Sequence, residues 1–181
     1  MKYILLLYAC IINPLFNLIP IAWIDIFYDN MTHVGNALHH PLYLLGWSAS
    51  TAIGLYFLSI LIWKKYHISY IPWLHFLLCS GWVLSCCIPY ADTLPFWIND
   101  AHVWIAIACT VGFSLEWVWI STKKESFIYK EIKALLWILQ CMFVICFVAL
   151  GMAGHVNAFC EILYSMGVNG ILVWFVLRYV L

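Results

Sequence analysis

Every lysine and arginine of this chain lies between long apolar runs or at their edges, and none lies in the middle of one. The eight are Lys2, Lys64, Lys65, Lys123, Lys124, Lys130, Lys133 and Arg178. Between them stand six stretches of about twenty residues, the length a helix needs to cross a bilayer. In lipid only helices or closed barrels satisfy their own backbone polar groups, and runs of this length select helices. The chain therefore reads as an all-α polytopic membrane protein, a six-transmembrane-helix bundle in one domain over residues 1–181. Alternating six spans from a cytoplasmic N-terminus puts all eight cations on the cytoplasmic side, which is the bias that sets orientation. Both termini are then cytoplasmic.

Composition agrees. Hydrophobic residues make up 66% of the 181 and charged ones 9%, against about 25% charged in a soluble domain. The formal net charge is zero, so nucleic acid is not an expected partner. The spans read as Tyr3 to Trp23, Leu42 to Trp63, Ile71 to Ile88, His102 to Ile120, Ala134 to Met152, and a last run ending near Arg178. Pro14 and Pro20 predict a kink or an early end in the first. Pro41 suits the first position of the second. Asn99 and Asp100 suit the cap of the fourth and Asn157 that of the sixth.

The same alternation puts Asp25, Asp29, Asp92 and Asp100 on the extracytoplasmic face, with His33, His39, His40, His102 and His155. Histidines thus open three spans at one depth, beside carboxylates. Imidazole and carboxylate are the usual ligands of zinc, and a metal-bound water attacks esters near neutral pH. A His–carboxylate pair without metal can serve as a general base. The expected catalytic set is His102, His155, Glu161 and Asp100, with His102, His155 and Glu161 as ligands of a divalent metal such as zinc. Asp29, His39, His40, Asn157 and Ser165 are the expected substrate-binding residues. Against a metal stands the absence of a short ligand motif, and His39 and His40, being adjacent, point to different faces.

Asn157, Glu161, Ser165 and Asn169 recur every fourth residue and form one stripe on the last helix. Polar groups at that depth face protein, a cavity or a ligand. Glu116 and His75 read as structural, the first near the cytoplasmic interface and the second in the core. The eight cysteines show no Cys-x-x-Cys pair and read as small hydrophobes. The histidines cluster at one membrane edge, unlike the facing mid-depth pairs that hold haem. Asn30-Met31-Thr32 forms a glycosylation sequon.

Three places carry a family likeness: Ala158-Phe159-Cys160-Glu161-Ile162 opening the last span, His102 followed by small residues opening the fourth, and Asp29-Asn30 in the first loop. In these the chain resembles the Frag1/DRAM/Sfk1 type of six-span membrane proteins. It departs from that pattern at Ile162, where an aromatic is usual, and at Tyr28, where a serine precedes the aspartate. The resemblance implies a six-helix fold and lipid handling, with Glu161, His102 and Asp29 as the corresponding positions. Some members of that family are regulators. The expected activity is binding of a membrane lipid and its modification by hydrolysis or acyl transfer. A non-catalytic lipid-binding scaffold and a small proton-coupled transporter are the alternatives. The wholly apolar Ile171 to Leu177 beneath the stripe argues against the transporter.

Overall fold

A computed structural model describes residues 2–90 and 94–181. Asp92, expected on the extracytoplasmic face, lies outside the described residues. Among these residues every regular element is helical. The helices are α1 (Lys2–Ala22), α2 (Met31–Asn36), α3 (Pro41–Lys65), α4 (Pro72–Cys87), α5 (Phe96–Ser121), α6 (Lys130–Ala153) and α7 (Ala158–Val180). Five of them, α1, α3, α5, α6 and α7, are long and apolar enough to cross a membrane. The chain is therefore a helical bundle of membrane-protein type.

The third expected span is α4, which at 16 residues is about 24 Å long, short of the roughly 30 Å hydrocarbon core. Pro72 at its first turn and the extended Ile88 at its end set that length. Pro14 does not end α1. A wider π turn over Tyr8–Ile12 precedes it, and the helix runs on to a 3-10 turn at Ile19–Ala22. The fourth span begins at Phe96, capped by Pro95, so Asn99 and Asp100 are not its caps. They lie in its first turns, because the apolar Phe96-Trp97-Ile98 already continues the helix. Gly154 closes α6 in the left-handed region, φ 73°, where glycine carries no steric cost.

Helices α3, α4, α5, α6 and α7 close a ring, each packed on the next, with α1 laid against α3 and α7. Tyr8 donates to the Ser50 carbonyl and Tyr43 to that of Phe16, so α1 and α3 run antiparallel. The core around Leu55, Ile62, Trp63, Trp117, Leu139 and Leu172 is fully closed to solvent. Tyr66 meets Tyr129 and Phe175, which brings the lysine-bearing loops and the end of α7 together. All eight cations thus sit at one end of the bundle. The loop with α2, the end of α4 and the start of α7 meet at the other.

Candidate functional site

The site is built where α2 lies across the start of α7. Asn157 caps α7, accepting from the Cys160 N–H and donating to the Phe27 carbonyl. The next two free amides of α7 go to loop carbonyls: Ala158 N–H to Asp29 at 2.7 Å and Phe159 N–H to Ile26 at 2.8 Å. The loop answers in kind. Asn30 caps α2 on the His33 N–H, and the Glu161 carboxylate accepts the Met31 N–H at 2.7 Å. Each helix start supplies what the other's unpaired amides need. This accounts for a carboxylate within the first turn of α7.

The rest of the stripe also faces protein. The Ser165 and Thr51 hydroxyls share a hydrogen bond of 2.7 Å, and Asn169 donates to the Thr51 and Ser165 carbonyls. Ser165 therefore fastens α7 to α3 instead of reaching a ligand.

His102 is buried, 5% exposed, two turns into α5. Its Nδ1 faces two carbonyls, Ser85 at 2.7 Å and Ile88 at 3.1 Å. Carbonyls only accept, so Nδ1 carries the ring proton. In the neutral ring Nε2 is then the acceptor, and the Thr32 hydroxyl donates to it at 3.0 Å. Tyr90 packs on the same ring at 5.6 Å.

A cavity of about 150 Å³ opens beneath this cluster between α5, α6 and α7. Its head is polar, with Asn30, Thr32, Tyr90, His102 and Glu161. Its body is apolar, with Ala106, Ile107, Val111, Phe147 and Leu150. Tyr164 closes its foot, bonded to Ser114 and to the Thr110 carbonyl.

Two of the expected catalytic residues, His102 and Glu161, line this crevice; the other two do not. His155 is exposed on the turn before α7, with Nδ1 against the Ala153 carbonyl and Nε2 against that of Tyr28. Asp100 is exposed on α5. Asp29 serves the loop through its own backbone carbonyl and a side-chain bond to the Asp25 N–H. His39 and His40 are exposed before α3, His40 against Trp23 at 5.1 Å. Among the described residues no three His, Cys, Asp or Glu side chains gather where one ion could hold them. The expected metal set of His102, His155 and Glu161 is thus not assembled. Equal depth did not make the histidines converge, because His155, His39 and His40 sit on exposed turns ahead of their helices while His102 lies inside α5 and is buried.

The sequence reading missed Thr32 and Tyr90. The signal for Thr32 was present, since Asn30 two residues earlier is a good helix cap and gives the segment a helical face. It also missed a second pair. His75 and Glu116, each read as structural with the other not named as its partner, bond to one another at 2.7 Å in the core between α4 and α5.

Fold and site together define a helical bundle of membrane type with an amphipathic crevice at the end away from its cations. Comparison with protein-family models, curated proteins and solved structures finds no match.

Proposed function

We propose that this protein is a six-span membrane protein, with α4 as the shortest span, that binds a membrane lipid in the crevice between α5, α6 and α7. Short-loop cations orient a bundle toward the cytoplasm, so the crevice belongs on the extracytoplasmic side and both termini on the cytoplasmic side. One observation carries the reading. The crevice has a hydrogen-bonding head and an apolar body in sequence down the bundle, the shape of a lipid with head group and acyl chain. Its five polar head residues include donors and acceptors, as an ester or phosphodiester head requires. The resemblance to a family associated with lipid handling points the same way. The test is lipid extraction from the purified protein, wild type against Ala106→Trp, which fills the apolar body. Wild type should carry a stoichiometric lipid that the variant lacks; equal lipid in both rejects the crevice as its seat.

Hydrolysis or acyl transfer is a second reading, favoured by the Thr32–His102 contact. The Thr32 oxygen attacks an ester carbonyl carbon while His102 Nε2 takes the hydroxyl proton. His102 returns that proton to the departing alcohol oxygen, leaving an acyl-threonine that water, deprotonated by the same nitrogen, cleaves. The Ser85 carbonyl holds the ring as the buried aspartate does in a serine-protease triad. Glu161 orders the segment bearing Thr32 and takes no proton in this scheme. Asp100 and His155 have no place in it.

A further inference from the structure

Resting on the lipid-binding reading above, we propose that the crevice takes an uncharged lipid with a free hydroxyl near its ester, and that Glu161 turns phosphate-bearing lipids away. The chemistry is that of a glycerol monoester. Among the described residues that line the crevice none is a lysine or arginine. His33 and His155 are not in its wall either. His33 lies 3.8 Å from the Asp29 carboxylate, and His155 faces the carbonyls of Ala153 and Tyr28. His102 is in the wall, but its nitrogens are taken by the Ser85 and Ile88 carbonyls and the Thr32 hydroxyl. A phosphate would find no cation here.

Helix starts are the other usual seat of a phosphate, through their free amides. Here those amides are already used. In α7, Ala158 and Phe159 donate to the Asp29 and Ile26 carbonyls, Cys160 to the Asn157 side chain and Glu161 to the Asn157 carbonyl. In α2, Met31 donates to Glu161 and His33 to Asn30. What the head of the crevice holds instead is a carboxylate. Glu161 is half-buried and belongs to the crevice wall, so its charge acts on whatever the crevice holds. Oε2 accepts the Met31 N–H; Oε1 accepts nothing from the described residues and keeps open surface.

The chemistry of the occupant follows from that inventory. A phosphate entering the crevice would leave water with no counter-charge and with a like charge beside it. A hydroxyl loses no charge and donates to the carboxylate. Asn30, also in the wall, uses its side-chain oxygen on the His33 N–H, which leaves its amide N–H groups for an ester carbonyl. At about 150 Å³ the crevice matches cavities that hold benzene, so it grips the head and the first carbons of one chain. Phe147, in the wall and 38% exposed, marks the side where the remaining chain passes into the bilayer.

The test uses the whole protein in phosphatidylcholine nanodiscs with a monoacylglycerol that carries a diazirine at the start of its chain. Photolabelling should fall on residues 103–111 and 146–150. Unlabelled monoacylglycerol should displace the probe at about a tenth or less of the mole fraction needed for lysophosphatidic acid of the same chain, in which a phosphate replaces one hydroxyl. Glu161→Gln keeps an acceptor, removes the charge and should narrow that ratio. Equal displacement by the two lipids, or a preference for the phosphate, overturns the selection while leaving the crevice a lipid site. A ratio unchanged in Glu161→Gln overturns the role of the carboxylate. Labelling elsewhere, or none, overturns both the selection and the lipid-binding reading beneath it.

Discussion

Glu161 and Met31 are 130 positions apart in the chain, yet the carboxylate of one accepts the backbone N–H of the other at 2.7 Å. Around that bond Asn30 and Asn157 each cap their own helix, and the carbonyls of Ile26 and Asp29 take the first amides of α7. The positive end of a helix dipole favours a carboxylate, and a short helix such as α2 does not persist alone. The clasp therefore orders the segment that sets Thr32 against His102.

Glu161→Ala should release α2. A hydrogen bond to a charged group contributes about 1.5–3 kcal/mol, so amide exchange over residues 31–36 should quicken roughly tenfold to a hundredfold. Glu161→Gln keeps an acceptor oxygen and should retain most of the protection. Exchange followed by mass spectrometry in detergent reads both. Unchanged protection in the alanine variant would remove the clasp from the account.

The threonine hydroxyl separates binding from catalysis. Thr32→Val keeps the shape and removes the donor to His102 Nε2, at an expected loss of about 1 kcal/mol of stability. Lipid retention should survive it. Cleavage of an acyl lipid by the purified protein should fall below detection in Thr32→Val and in His102→Gln. Cleavage persisting in the valine variant would exclude Thr32 as nucleophile.

Much of this architecture is legible in the sequence, and the exceptions share a cause. The Asn157, Glu161, Ser165 and Asn169 stripe is readable because period four on one helix is local, and all four do face protein. The Asn157 cap is readable for the same reason. The start of α5 was misplaced because Asn99 and Asp100 are good cap residues, while the deciding turn at Pro95 precedes an aromatic stretch that resembles a loop-edge anchor. What no local rule supplies is the rotation of one helix against another. The histidines of three helix starts looked convergent and only His102 reaches the crevice, while His75 and Glu116 read as separate structural residues and are partners across 41 positions.

Close approach of three helices depends on Gly54. A Cβ there would run into the Tyr8 hydroxyl and the Asn169 side-chain oxygen, so α1, α3 and α7 meet where only glycine fits. Overpacking of this kind costs about 1–3 kcal/mol. Gly54→Ala should lower the thermal midpoint in detergent, and Gly54→Leu should lower it further and loosen α1. Gly151, with nothing near its Cβ position, is the control and should accept alanine without loss.

The His75–Glu116 pair should behave as a unit. Removing one partner strands a buried polar group, and such losses run to about 3–5 kcal/mol. Glu116→Leu leaves His75 Nδ1 with no partner, and His75→Leu leaves the whole carboxyl group without one. Replacing both by leucine strands only the Tyr56 carbonyl, which keeps its bond within α3. The double variant should therefore be more stable than either single variant, with a coupling of about 2 kcal/mol or more in a double-mutant cycle. Unfolding of all four proteins in a graded detergent series measures it. Strict additivity would mean that the two side chains are neighbours without being partners.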